Sequence, residues 1–517
     1  MADTGKPLSN SEYSFDTDHL RDDIKGRAVR SSAVTVLSSA ASFLIQMVGT
    51  IVLARLLTPA DFGLVTMVTT FSLLLQSVGF NGFPEAIIQR PSLDQVTVST
   101  LFWLNGGINQ VFTVLFIAAA PLVAGFYNEP RLFWLTIFLS TTIIGAGLST
   151  IHLALLKRTM RFTAVAVLNM GSRLITMVVS IALAWLGWKY WALAASSLVG
   201  TLALTIGAWI YCRWRPGPLS KRTNVTSYVK FAAHTYGNFT LNYSCRNLDN
   251  LLVGKFIGLQ PLGYYKKAYD LFALSANQLT SPLANVALAA LSRFSDDHEM
   301  FRQYYLNAVS MIAFLSMASG LVLTVAAKDI ILLILGPQWT PSAQIFMFFG
   351  PGIGIMLVYT THGWLHLSLG RADRWFRWGI VEFVVTASLF ILGLKYGAPG
   401  VAVAWTVSFY VLTGPGLWYA GRPAKLRISS VAGVIWRYFA AALGAGALTW
   451  FLLYRFAPGV RLYGGIPVFG RIVAASGVSL LAYVGMTILL YMSLKPLTQA
   501  ASLVRTMLPG VFGKRKS

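Results

Sequence analysis

Apolar runs of about 20 residues recur along the whole chain, the length an α-helix needs to cross the hydrocarbon core of a bilayer. Candidate spans lie near 31–54, 61–82, 97–124, 132–155, 163–187, 190–211, 228–254, 263–291, 304–327, 342–369, 376–394, 400–420, 431–454 and 467–493, fourteen in all. The connections are short, and several carry turn residues: Thr58-Pro59, Glu129-Pro130, Gly336-Pro337 and Ala457-Pro458-Gly459. Hydrocarbon offers the backbone no water, so segments of this length close their hydrogen bonds within a helix. The expected fold class is an all-α polytopic membrane protein of about 14 transmembrane helices. Composition agrees: 56% of the 517 residues are apolar and 11% are charged, against about a quarter charged in soluble domains. No stretch has room for a soluble domain.

The net charge of +23 raises nucleic acid as a partner, but its distribution excludes that reading. Basic residues sit in short clusters between apolar runs, the pattern of cytoplasmic loops under the positive-inside rule. With a cytoplasmic amino terminus and fourteen spans, 27 of the 41 Lys and Arg residues fall in cytoplasmic segments and 11 on the opposite side. That bias predicts both termini in the cytoplasm of a multi-pass inner-membrane protein. Residues 1–30 are polar and mixed in charge, so the first apolar segment is expected to stay in the membrane as an anchor. Cys212 and Cys245 form neither a disulfide framework nor a metal spacing.

Span one ends Leu53-Ala54-Arg55-Leu56-Leu57-Thr58 and continues to Phe62-Gly63-Leu64, while span seven ends Val253-Gly254-Lys255-Phe256-Ile257-Gly258 and continues to Leu262-Gly263-Tyr264. The two stretches align at an offset of 200 residues, and both spans run outward. A parallel internal repeat is therefore expected, its halves related by an axis along the membrane normal with the binding site between them. The expected organisation is a polar tail (1–30), a six-helix lobe (31–212), a cytoplasmic linker (213–227), a second six-helix lobe (228–420), two additional helices (431–493) and a basic tail (494–517).

An ionisable side chain at mid-bilayer costs at least ~2.5–3.5 kcal/mol, so such groups face a cavity or a partner. His234, Asn238, Asn242, Arg246 and Asn250 recur every fourth residue of span seven and share one helix face. Asp249, three residues beyond Arg246, is placed to pair with it. This stripe reads either as the wall of a water-filled lumen or as interhelical glue. Arg173 in span five carries the same two readings. Gln46 and Thr50 occupy the repeat positions of Arg246 and Asn250. His362 and His366 have a metal-capable spacing, but no Asp, Glu or Cys in that span completes a site. No Walker phosphate loop occurs, so no cofactor is expected. Proton or sodium coupling is left open.

The run Leu53-Ala54-Arg55-Leu56-Leu57-Thr58-Pro59-Ala60-Asp61-Phe62-Gly63-Leu64 resembles the first-helix signature of the polysaccharide-transporter (Wzx-like) family, a branch of the multidrug/oligosaccharidyl-lipid/polysaccharide flippase superfamily. More of that family's pattern follows in order: Thr100 to Asn105, Pro121 with Ala124-Gly125-Phe126-Tyr127, Leu155-Leu156-Lys157-Arg158, Trp214-Arg215-Pro216, Leu248-Asp249-Asn250, and Leu262-Gly263-Tyr264-Tyr265. The likeness covers roughly residues 28–370. It departs at Ala289-Ala290-Leu291-Ser292, where the family carries a Pro before Leu-Ser.

The resemblance implies a flippase for undecaprenyl-diphosphate-linked oligosaccharide in exopolysaccharide or O-antigen (lipopolysaccharide) assembly, with two lobes around a cationic cavity and an alternating-access cycle. Its partners would be the lipid-linked oligosaccharide, membrane lipids, and a polysaccharide polymerase with chain-length proteins. Arg246 is the expected diphosphate ligand, because a guanidinium grips phosphate oxygens bidentately, with Asp249 orienting it in the empty carrier. Asn250, Asn242, Asn238, Arg173 and Gln46 complete the expected binding set. One rival is a multidrug exporter of the same superfamily, but a cation exporter needs acidic cavity groups and span one has none. Another is a polymerase or acyltransferase. A polymerase would carry a large outer loop, whereas the longest here is about 457–467.

Overall fold

The computed structural model describes residues 24–80, 83–89, 93–219, 243–244, 247–294, 297–456 and 463–493. All regular structure among them is helical: α1 (Ile24–Leu56), α2 (Pro59–Phe80), α3 (Phe83–Gln89), α4 (Gln95–Ala118), α5 (Ala120–Tyr127), α6 (Arg131–Arg158), α7 (Phe162–Trp185), α8 (Tyr190–Cys212), α9 (247–256), α10 (Leu259–Arg293), α11 (His298–Val325), α12 (Ala327–Ile334), α13 (Thr340–Ser368), α14 (Ala372–Gly393), α15 (Gly397–Gly421), α16 (Ile428–Trp450) and α17 (Val468–Tyr491). Ten stretches of the described residues are long and apolar enough to cross a membrane, and one of them, Asp373–Ala424, contains both α14 and α15. The chain is a multi-pass membrane protein.

Local chemistry sets the helix ends. At the start of α2, Asp61 Oδ2 accepts from the Thr58 backbone N–H at 2.9 Å and its hydroxyl at 2.6 Å, and Thr58 Oγ1 accepts the Asp61 N–H. This is a reciprocal capping box with Pro59 at the first helical position, where its missing N–H is no loss. Asp94 and Asp297 cap α4 and α11 by the same logic. The expected single span over 97–124 is instead two helices. Pro121 lacks the N–H that would continue α4, so α4 closes at Ala118 and α5 begins at Ala120. Pro351 and Pro415, by contrast, lie inside α13 and α15 without ending them, as membrane helices allow when neighbours satisfy the freed carbonyls.

The chain forms two compact units, Met1–Gly263 and Tyr264–Ser517. The division falls downstream of the expected linker at 213–227, most of which lies outside the described residues. In the first unit, α6 packs on α2, α4 and α8, and α7 on α1 and α8. Small residues permit this closeness, as membrane helix packing requires. A Cβ on Gly147 of α6 would lie 2.8 Å from Asn109 Cγ of α4.

A close backbone-to-backbone approach joins α2 to the first turn of α10. A Cβ on Gly63 would sit 2.1 Å from the Leu259 carbonyl oxygen, and one on Gly263 would sit 1.9 Å from the Pro59 carbonyl oxygen. Pro59 and Leu259, like Gly63 and Gly263, are 200 positions apart. The contact is therefore reciprocal in the same register as the sequence offset.

Residues 213–217 are strapped to α4. Trp214 Nε1 donates to Gln95 Oε1 at 2.6 Å, and Gln95 Nε2 donates to the Arg215 carbonyl at 3.0 Å. Trp103 Nε1 donates to the Gly217 carbonyl at 2.8 Å, and the Gly217 N–H donates to Ser99 Oγ at 2.9 Å. Trp214 is buried against Phe102 and His152. At about 1 kcal/mol per hydrogen bond, losing all four would markedly weaken the first unit. With the halves co-expressed, a cut after Leu219 is expected to leave the amino-terminal piece several-fold more abundant in membranes than a cut after Cys212. Immunoblotting of membrane fractions checks this, and equal abundance would reject the strap.

In the second unit, α13 lies between α11 and α15, and the α16–α17 pair packs on α11. An aromatic cluster of Phe272, Phe349 and Trp405 fills the centre, with Trp405 edge-on to both rings. Asp329 of α12 is buried, bonded to Arg471 of α17 at 2.7 Å and to the Tyr463 hydroxyl at 2.5 Å.

Candidate functional site

Of the expected stripe on span seven, Asn238, Asn242 and Arg246 (with His234) lie outside the described residues. Asp249 and Asn250 are present in α9, and both are buried within the first unit. Asp249 Oδ1 accepts the Asn250 backbone N–H at 2.7 Å. Asn250 Nδ2 donates to Asn247 Oδ1 at 3.3 Å, and Asn247 Nδ2 donates to the Tyr243 carbonyl at 3.0 Å. Asn250 Oδ1 is buried and has no hydrogen-bond partner among the described residues. Two further contacts seat this segment: the Tyr243 hydroxyl donates to the Thr70 carbonyl of α2 at 3.1 Å, and Lys255 donates to the Phe126 carbonyl while lying over the Phe126 ring.

Arg173 and Gln46 are placed differently. Arg173 is the middle residue of α7 and is exposed on the first unit, as is Gln46 of α1. The two helices touch at Gly49 and Met177, where an added Cβ would meet Met177 Cγ at 3.1 Å. The alternation of spans runs α1 and α7 in the same direction, so Gln46 and Arg173, three and four residues before that contact, lie at about the same depth. A guanidinium and a carboxamide, each exposed at about that depth, can present donors to an anion and to sugar hydroxyls.

The sequence reading missed a second polar ladder. Asn105 Nδ2 donates to the Gly147 carbonyl at 2.9 Å, Asn109 Nδ2 to the Asn105 carbonyl at 2.7 Å, and Thr113 Oγ1 to the Asn109 carbonyl at 2.9 Å. All three are buried, so this ladder joins α4 to α6 and faces no open space. Its spacing of four is the same signal that marked span seven. The His362 and His366 rings stand 5.9 Å apart, both buried in α13, with His362 Nδ1 2.6 Å from the Tyr359 carbonyl oxygen.

A model of a polysaccharide biosynthesis protein family matches residues 52–344, more than half of the chain. The chain belongs to that family. It is 24% identical to the teichuronic acid biosynthesis protein TuaB of Bacillus subtilis (strain 168), over 79% of this chain and 86% of the relative. It is 24% identical to the lipopolysaccharide biosynthesis protein WzxC of Escherichia coli (strain K12), over 71% and 77%. Identity to the succinoglycan biosynthesis transport protein ExoT of Rhizobium meliloti (strain 1021) is 25%, over 73% and 76%. Among solved structures, the lipid II flippase MurJ in an inward closed conformation superposes with a TM-score of 0.72 at 15% identity, covering 89% of this chain and all of MurJ. An inward-facing multidrug-resistance MATE transporter superposes at 0.60 with 12% identity, over 74% and 94%. At such identities the structures show a shared fold.

Proposed function

We propose that this protein is a flippase that carries undecaprenyl-diphosphate-linked oligosaccharide across the inner membrane by alternating access, for exopolysaccharide or O-antigen assembly. The observation that carries this reading is Arg173, a guanidinium exposed at the centre of a 24-residue span. Facing lipid, it would carry the insertion penalty of ~2.5–3.5 kcal/mol or more, which a water-filled lumen relieves. A cationic lumen suits an anionic cargo and opposes a drug cation. Arg246 is the second anion ligand in this proposal, with Asp249 setting its geometry. Names borne by the relatives support the cargo class, since they concern teichuronic acid, lipopolysaccharide and succinoglycan. The offset of 200 residues and the reciprocal Gly63/Gly263 contact support a parallel repeat, and the basic-loop bias supports cytoplasmic termini.

The test is where cargo stops when the gene is removed. A flippase mutant accumulates lipid-linked repeat units on the cytoplasmic face, measured by their inaccessibility to a glycosidase added to intact spheroplasts. Accumulation of units on the outer face would mark a polymerase instead. Unchanged lipid-linked pools with lost cation efflux would mark an exporter.

A further inference from the structure

The second unit contains a cavity of about 940 Å³ between α11, α13, α15 and α16. Small residues line it, Gly320 on α11, Gly354 on α13, and Ala442 and Gly446 on α16, and the absent side chains of Gly320 and Gly354 also let α11 and α13 pack closely along one wall. Its polarity is graded along its length. Thr324, Lys328, Thr340 and Gln344 gather at the end where α11 gives way to α12 and α13 begins, whereas Met317, Pro351 and Phe439 line the far end. Along α16 the lining runs from Trp450 to Phe439, about 16 Å at 1.5 Å per residue. Half of a hydrocarbon core of ~30 Å is about 15 Å. The cavity is therefore one leaflet deep, polar at the interface and apolar toward the bilayer centre.

Charge at the mouth selects the head group. Lys328 is exposed on α12, an eight-residue helix that separates two spans. Its neighbour Asp329 is turned inward and neutralised by Arg471, which leaves the Lys328 ammonium as the uncompensated charge lining the cavity. Tyr454 lines the same end as Trp450, in the manner of interfacial aromatic residues.

We propose that this cavity seats one anionic phospholipid of the surrounding bilayer, with its acyl chains between α11 and α16 and its phosphate at Lys328 Nζ. The lipid fills a gap that side chains leave open and ties α16 to the rest of the second unit. Every lining residue belongs to that unit, so the site is independent of Arg173 and of the flippase reading.

The purified full-length protein in nanodiscs, doped with phosphatidylglycerol carrying a diazirine near the acyl terminus, tests this. Photolabel mapped by peptide mass spectrometry is expected to concentrate on the α11 and α16 segments around Met317 and Phe439. Lys328→Glu should lower that labelling about five-fold, Lys328→Arg should preserve it, and Ala442→Phe should block it by filling the cavity. The same probe built on phosphatidylcholine should respond little to Lys328→Glu. Label spread evenly over the lipid-facing helices, or indifferent to Lys328→Glu while Ala442→Phe is folded by melting temperature, overturns the proposal. Displacement of the probe by an equal fraction of polyprenyl diphosphate overturns it too, because the cavity would then belong to an isoprenoid chain.

Discussion

Replacing Gly63 by valine is expected to destabilise the protein severely and to abolish transport, and Gly263→Val is expected to do the same. The added Cβ would lie 2.1 Å from the Leu259 carbonyl oxygen in the first case and 1.9 Å from that of Pro59 in the second. The obstructing atoms are backbone, which cannot rotate away as a side chain would. Relief requires α2 and the first turn of α10 to separate, and overpacking of a well-packed contact costs typically 1–3 kcal/mol, occasionally more. Alanine already carries the offending atom, so Gly63→Ala should show much of the effect. Because the two contacts share one helix crossing, the double alanine variant should be little worse than either single one, a non-additivity expected of coupled neighbours. Gly107→Ala and Gly171→Ala are the controls: nothing lies within 4 Å of a Cβ at either position, and helix propensity favours the change by about 1 kcal/mol. Melting of detergent-solubilised protein and a transport assay provide the readouts. Wild-type values for Gly63→Ala would show that this crossing does not limit stability.

The helices were legible because lipid removes nearly every other option for a long apolar run. Their interruptions were less so, since proline acts through context. Pro121 ends α4, yet Pro351 sits within α13, which is packed between α11 and α15. Local sequence contains no record of such neighbours. The same blindness affected the site. Asp249 and Arg173 are both charged residues inside apolar runs, but one is buried in the first unit and the other is exposed on it. A spacing of four identifies a helix face without saying what that face meets. Asn105 and Asn109 show this directly: their ladder has the lumen-like pattern, yet both are buried, Asn105 bonding a glycine carbonyl of α6 and Asn109 the Asn105 carbonyl. The offset of 200 residues, by contrast, was visible because turn chemistry is local, and Gly63 and Gly263 mark equivalent turns in the chain.

Charge at position 173 is expected to control transport without controlling folding. Arg173 is exposed and central in α7, so its replacement opens no packed interior. In the proposed lumen it meets the diphosphate of the cargo, where hydrogen bonds to a charged group are worth about 1.5–3 kcal/mol. Arg173→Gln removes that contribution and should slow flipping about tenfold to a hundredfold, at 1.4 kcal/mol per factor of ten. Arg173→Glu adds repulsion and should abolish it. Arg173→Lys keeps the charge but loses the planar fork, so it should fall between glutamine and wild type. A structural role would give another order, with lysine and glutamine alike and protein abundance falling along with activity. The measurement is flipping of a fluorescent lipid-linked oligosaccharide in proteoliposomes, normalised to inserted protein. If Arg173→Glu inserts normally and flips cargo at the wild-type rate, Arg173 does not face the cargo and the cationic lumen must be sought elsewhere in the chain.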